Sequence, residues 1–206
     1  TDPEAAQAWA FSLPEGEARR GALRNIAGAL ADTDPQAAAS FAASLPPGST
    51  RNEAMASVAN AWAQQDLNGA LAWVKQLPEG QEKQRAIQNL SYQWAQTDPM
   101  SVASYAQTLP PSNTRNNLLG TAAGQWAAQD PKAALDWASS LPTGQGRNQA
   151  LQNVLSTWAR TDPAAASSYA QALPPGQAKN QALNNIANQW AQMDPTAAAA
   201  WAKSLP

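Results

Sequence analysis

Residues 161–192 read TDPAAASSYAQALPPGQAKNQALNNIANQWAQ, and near copies of this stretch fill the rest of the chain. Shifting the sequence against itself by 32 residues aligns one aspartate from every copy, with no insertion or deletion between them. A fixed period of this length is typical of repeat proteins, in which a unit buries its apolar face only by stacking on its neighbours. The aligned aspartates are Asp2, Asp34, Asp66, Asp98, Asp130, Asp162 and Asp194.

The period divides the 206 residues into six whole units and a shorter seventh. We expect these units to form a single repeat array over residues 1–206, because the spacing never changes. The chain begins without Met and stops at a Leu-Pro that ends a repeated segment, so we expect it to be part of a longer protein. The units are residues 1–32, 33–64, 65–96, 97–128, 129–160, 161–192 and the partial unit 193–206.

Each unit predicts two helices joined by a tight turn. Asp162 can cap the first helix and Pro163 supplies a helical φ, while Leu173 precedes a proline that disfavours further helix. The second helix is predicted from about Gln177 to Ala191, where apolar residues recur at helical spacing. The seventh unit lacks a second helix, so the chain should contain thirteen helices. We therefore predict an all-α fold, a right-handed α-solenoid of stacked antiparallel helical hairpins.

Large aromatic residues recur in both helices of the unit. The second helix carries Leu30, Trp62, Trp94, Trp126, Trp158 and Trp190 near its end, and we expect these residues to pack between units. The first helix alternates through Trp9, Phe41, Trp73, Tyr105, Trp137, Tyr169 and Trp201. This alternation indicates either the duplication of a 64-residue pair or two packing environments for alternate hairpins.

Composition disfavours several classes of function. Charged residues make up 14% of the chain and the net charge is −2, so general binding to nucleic acid or to an anionic membrane is not expected. The chain has no His and no Cys, which removes the commonest general base, thiol nucleophiles and thiolate metal ligands. No apolar run reaches the length of a membrane span. We expect no enzyme activity, no cofactor and no membrane insertion, and the absence of Cys fits an oxidising or a reducing compartment equally.

The apolar spacing that ends one unit and opens the next resembles the signature of the tetratricopeptide repeat. It is carried by Leu183, Ile186, Ala187 and Trp190, followed by Ala197 and Trp201. The spacing fits this family while the identities are partly exchanged, and the period is 32 residues where the family has about 34. The resemblance implies that the second helix lines a concave groove in which an extended peptide binds.

The polar face of the second helix is the candidate binding site. Its central column consists of Asn25, Ser57, Asn89, Thr121, Asn153 and Asn185. An asparagine both donates and accepts hydrogen bonds, so a row of them can pair with the backbone of an extended chain. The resemblance places this column where some family members carry an asparagine ladder. Neighbouring candidates are Asn60, Gln88, Tyr92, Gln152, Asn184 and Asn188, with Arg24, Arg85, Asn117, Gln149 and Gln181 beside them. The alternative is that these residues cap local backbone or only solvate the helix.

A basic residue stands early in every second helix, at Arg19, Arg51, Lys83, Arg115, Arg147 and Lys179. This column is either a ladder for acidic peptides or a set of cations that offset the carbonyl groups ending the preceding helix. The second explanation is favoured. Glu15 and Glu79 are the carboxylates of two such turns, too far apart in an array to form a catalytic pair.

Two functions follow as expectations. The leading one is a non-catalytic scaffold that holds a protein or extended peptide in a polar groove. The alternative is a structural spacer, or a solenoid that joins end to end with its own kind, within a secreted or surface protein. Recognition of RNA by helical repeats is a third hypothesis, and the acidic composition argues against it.

Overall fold

The computed structural model describes residues 3–173 and 175–204, and every regular element in this part of the chain is an α-helix. These residues form thirteen helices, as the sequence predicted. The first helices of the units are α1 (Pro3–Ser12), α3 (Pro35–Ser44), α5 (Leu67–Gln76), α7 (Pro99–Thr108), α9 (Pro131–Ser140), α11 (Pro163–Ala172) and α13 (Pro195–Lys203). The second helices are α2 (Glu17–Ala31), α4 (Ser49–Gln65), α6 (Gln81–Thr97), α8 (Asn113–Gln129), α10 (Gln145–Trp158) and α12 (Gln177–Met193).

Aspartate caps the first helices as predicted. The Oδ1 atom of Asp34 accepts hydrogen bonds from the backbone N–H groups of Gln36 and Ala37, at 3.1 and 2.9 Å. Asp66 caps α5 by accepting the N–H of Gly69 at 3.0 Å, although Leu67 replaces the usual proline. The same cap is formed by Asp98, Asp130, Asp162 and Asp194, while Asp2 lies outside the described residues.

The turn within each hairpin also follows the predicted pattern. Leu45 ends α3 with φ −67° and ψ 147°, the extended conformation that a following proline favours. Gly144, which precedes α10, has φ +155° and offers no side chain to cap that helix. At the equivalent position before α8, Ser112 is extended, and its Oγ accepts the N–H of Arg115 at 3.1 Å. The glycine turns therefore leave the first amide groups of the second helix uncapped by a side chain.

The chain folds as two compact units, Thr1–Ser91 and Tyr92–Pro206, with the boundary inside α6. In the first unit, α2 packs directly against α4, and α3 contacts both of them. In the second unit, α8 packs against α10 and α10 against α12, while α9 contacts both α8 and α10. Second helices are therefore neighbours within each unit, and a first helix packs against two of them.

The second-helix tryptophans contact the first helix of the next hairpin, as predicted. The ring pairs and their centroid distances are Trp62–Trp73 at 5.7 Å, Trp94–Tyr105 at 5.4 Å, Trp126–Trp137 at 5.6 Å, Trp158–Tyr169 at 6.0 Å and Trp190–Trp201 at 5.5 Å. Alanines fill most of the remaining core, which lets the helix backbones approach closely. None of the helices in the described part of the chain is long and apolar enough to cross a bilayer.

The alternation of the first-helix aromatic corresponds to two packing geometries. The three Trp–Trp pairs have interplanar angles of 28–36°, whereas the two Trp–Tyr pairs are tilted by 50° and 53°. Trp94 and Trp158, which pack on tyrosine, are only 3% and 6% exposed. Trp62 and Trp126, which pack on tryptophan, are half-buried. Alternate hairpins thus occupy different packing environments, as a duplicated 64-residue pair would also produce.

Candidate binding surface

The asparagine column borders the neighbouring second helix at Asn153. Its Nδ2 atom donates a hydrogen bond of 2.8 Å to the carbonyl oxygen of Gly120, so a side chain of α10 reaches the backbone of α8. Gly120 leaves room for this bond, since a Cβ there would lie 2.9 Å from the same Nδ2 atom. Asn153 is half-buried and satisfies a backbone carbonyl. At this position the side chain satisfies the backbone of another helix, which is neither the ligand contact nor the local cap considered from the sequence.

Ser57 occupies the same place in the first unit. A Cβ on Gly28 of α2 would lie 2.6 Å from the Oγ atom of Ser57 on α4. In the second unit, a Cβ on Gly124 of α8 would lie 3.6 Å from the Cβ of Asn153 on α10. In both cases the glycine and the residue it faces are 29 positions apart in the sequence. Glycine on one second helix therefore faces the column residue of the next, and the two backbones approach at these points.

Polar side chains also pair between neighbouring second helices. The guanidinium of Arg24 lies 3.9 Å from the carboxylate of Glu53 in the first unit. In the second unit, Gln152 Nε2 donates to Gln181 Oε1 at 3.4 Å. Each pair again joins residues 29 apart, so an ion pair and an amide pair occupy equivalent places. Both pairs lie at the surface and contribute little to stability. They do hold polar groups of adjacent helices in one surface.

The predicted site residues are divided between the two units. The first unit contains Asn25, Ser57, Asn60, Gln88 and Asn89, all exposed except the half-buried Ser57. The second unit contains Tyr92, Thr121, Gln152, Asn153, Asn184, Asn185 and Asn188. Tyr92 is 58% exposed. Asn184 and Asn188 are also exposed, and the other four are half-buried. Each unit therefore presents its own polar face along its second helices.

The two faces differ in chemistry. The face of the first unit includes the charged residues Arg24, Glu53 and Arg85. Equivalent positions in the second unit carry no charge: one is Gly120 and the others are the amides Asn117, Gln149, Gln152, Gln181 and Asn184. Carboxamide groups present donors and acceptors at neutral charge, which suits the peptide backbone.

Over the residues that the structure describes, no three acidic side chains come together in a way that could hold a metal ion.

The basic column is engaged in several different ways. Lys179 donates to the carbonyl of Gln171 in the last turn of α11, which confirms for this residue the favoured explanation that it offsets helix-end carbonyls. Lys83 instead pairs with Glu79 four residues earlier. The guanidinium of Arg19 lies 5.4 Å from the ring centroid of Phe11, a cation–π contact. No single role explains the column.

One pairing in this column was not predicted from the sequence. Arg51 Nε lies 3.2 Å from Glu82 Oε1, an ion pair between α4 and α6 in which both side chains are mostly buried. The sequence did offer one indication of this pair, since residue 82 is a glutamate. The equivalent positions of the other units hold Ala18, Thr50, Thr114, Gly146 and Ala178. A single carboxylate among small residues indicates a local partner. That the partner is Arg51 depends on how α4 and α6 meet.

The comparisons with known proteins add no relative to this description. The chain matches no protein-family model, and no curated protein or solved structure is significantly similar to it.

Proposed function

We propose that the chain is a non-catalytic scaffold that holds an extended polypeptide against the polar face of its second helices. In this proposal the hairpins form one right-handed, tetratricopeptide-like α-solenoid with a 32-residue period. The starts of α3, α5 and α7 at Pro35, Leu67 and Pro99 support that period, since each lies 32 residues after the last. The direct packing of successive second helices within each unit supports the stacking.

The observation that carries the proposal is the row of amides along the second helices of the second unit. α8, α10 and α12 contact one another in that order, and the amides of Gln152 and Gln181 connect two of them. Asn184 and Asn188 lie one turn apart on α12 and are exposed. A peptide laid across these helices would meet donors and acceptors at each step, with no charge to select its side chains.

A non-catalytic role fits the residue types present. The chain has no His and no Cys, and its recurring aspartates are occupied as helix caps. The remaining acids and bases would have to act alone, without the groups that usually activate them. Binding therefore explains more of the sequence than catalysis does.

The proposal is tested by selecting binders from a displayed library of unstructured peptides and measuring affinity for two variants. Asn184→Ala with Asn188→Ala removes exposed amides from the face and should weaken binding by about tenfold or more. Gln107→Ala with Gln171→Ala, which changes exposed amides on first helices, is the matched control and should bind as the parent does. The column variant Asn89→Ala with Asn185→Ala, which keeps the hydrogen bond from Asn153 to Gly120, should also weaken binding. Equal affinity of all the variants would remove the groove model.

End-to-end assembly is the second candidate. The chain has few charged residues and a net charge of only −2, so little electrostatic repulsion opposes contact between two copies. Sedimentation over a range of concentrations tests this candidate. A mass that grows with concentration supports assembly, and a monomer at every concentration excludes it.

A further inference from the structure

A cleft of about 390 Å³ lies in the second unit, between the start of α8 and the turn that precedes α10. Its charged lining consists of Arg115 and Arg147, with no aspartate or glutamate. The cleft is formed by residues at the ends of the hairpins, away from the asparagine column. It is therefore a separate surface from the polar face of the second helices.

The first unit shows what such a pair of cations requires. Arg51 precedes Arg115 by 64 residues, which is two periods, and Lys83 precedes Arg147 by the same interval. Arg51 pairs with the carboxylate of Glu82, and Lys83 pairs with Glu79. Two cations at this kind of turn thus meet two carboxylates that belong to the chain itself.

Both of those carboxylates are missing from the equivalent positions in the second unit. Thr143 stands where the first unit has Glu79, and Gly146 stands where it has Glu82. The Nε atoms of Arg51 and Arg115 are both buried without a hydrogen-bond partner among the described residues. Arg51 Nε has the carboxylate of Glu82 at 3.2 Å, whereas the cleft that Arg115 lines contains no carboxylate. A buried, unpartnered donor on a charged group is costly, because water is excluded and no acceptor replaces it. The cleft therefore carries two positive charges and no carboxylate. The equivalent cations of the first unit each have a carboxylate of the chain beside them.

We infer that this cleft binds the carboxylate groups of an acidic peptide segment, with Arg115 and Arg147 taking the place of the Arg51 and Lys83 ion pairs. The first turn of α10 supports the same ligand charge, since Gly144 and Gln145 line the cleft and no side chain caps this helix. The inference rests on the two arginines, and the uncapped start of α10 adds a further attraction for negative charge. The inference does not depend on peptide binding at the second-helix face.

A related cleft in the first unit lacks the same surplus. Its volume is about 420 Å³, and it is lined by Arg19 and Arg20 together with Glu15. Arg19 is also engaged with the ring of Phe11. This cleft has one carboxylate in its lining against two cations, and one of those cations lies over an aromatic ring, so its positive charge is smaller and partly covered.

The test follows the arginine Nε–H signals of the whole chain by NMR during titration with N-acetyl-Glu-Glu-amide at low salt. The Nε–H signal of Arg115 should shift to saturation, and sodium chloride at equal ionic strength should not reproduce the shift. Thr143→Glu places an internal carboxylate four residues before Arg147, as Glu79 stands before Lys83. It should weaken the peptide about tenfold or more, while Thr143→Gln, of the same size and uncharged, should leave binding unchanged.

Arg115→Gln should abolish the saturable shift of the Arg147 Nε–H signal, and Arg51→Gln, the same change where a carboxylate of the chain lies beside the guanidinium, should leave the shifts of Arg115 and Arg147 unchanged. Circular dichroism shows whether each variant is folded, and Thr143 is an exposed turn residue whose replacement leaves the core intact. The inference is overturned if no saturable shift occurs, if chloride reproduces it, or if Thr143→Glu and Thr143→Gln bind equally. Tighter saturation by inorganic phosphate than by the peptide would also overturn the assignment to carboxylates.

Discussion

At the scale of single residues, the fold depends on side chains that satisfy backbone groups at helix ends. Asp34 accepts two amide N–H groups of α3, and Asn153 donates to the carbonyl of Gly120. The aspartate is visible in the sequence because its partners lie two and three residues away. The asparagine is not, because its partner lies 33 residues away on another helix. Polar contacts within a helix end can therefore be predicted here, and polar contacts between helices cannot.

Removing one aspartate cap tests whether these side chains stabilise the helices that they begin. Asp34→Ala should lower the free energy of unfolding by about 1 kcal/mol, because two amide groups at the start of α3 lose their acceptor. Asp32→Ala is the matched control, since Asp32 is exposed at the end of α2, where a negative charge is unfavourable. The control should be neutral or slightly stabilising in urea unfolding. Equal losses for the two variants would contradict the capping role.

At the scale of helices, the hairpin was predictable and the contact between hairpins was only partly so. The predicted second helix from about Gln177 to Ala191 is observed as Gln177–Met193, because Asp-Pro and Leu-Pro mark boundaries locally. The tryptophans were expected between units, and they do contact the next hairpin. Which faces of adjacent second helices meet depends on their relative rotation. A 32-residue period does not specify that rotation, so the pairing of Arg51 with Glu82 was missed.

Substituting the glycines of α8 tests how closely α8 and α10 approach each other. A Cβ on Gly120 would lie 2.9 Å from Asn153 Nδ2 and 3.0 Å from Gln149 Cγ, so Gly120→Ala should destabilise the chain by about 1 kcal/mol. Gly124, one turn later, has its nearest neighbour at 3.6 Å. Gly124→Ala should therefore be neutral or stabilise by up to about 1 kcal/mol through helix propensity. Chemical unfolding of both variants checks the contrast, and stabilisation by Gly120→Ala would refute the close approach.

The tryptophan contacts provide a second test at this scale. Trp158 is 6% exposed and packs on Tyr169, so Trp158→Ala should cost about 3–5 kcal/mol. Trp9 is 59% exposed, and Trp9→Ala should cost less than about 1 kcal/mol. Thermal or urea unfolding compares the two. A similar cost at both positions would mean that the indoles do not join one hairpin to the next.

At the scale of the whole chain, stability is expected to be a sum of contacts between neighbouring hairpins. Each of the two compact units contains second helices that touch in sequence, with first helices packed against them. In such a protein no residue depends on a partner far along the chain. The side-chain hydrogen bonds from Gln65 to Ala31 and from Asn153 to Gly120 span 34 and 33 residues, about one period.

Excising one whole repeat tests this claim most directly. Deleting residues 129–160 joins Ala128 to Thr161 and keeps every remaining hairpin in register. This variant should fold, with unchanged helicity per residue by circular dichroism and a cooperative but lower thermal transition. Deleting only residues 129–144 removes α9 and fuses α8 to α10, so this control should lose the transition. Loss of the transition on excising the whole repeat, or equal behaviour of the two deletions, would contradict a fold built from interchangeable hairpins.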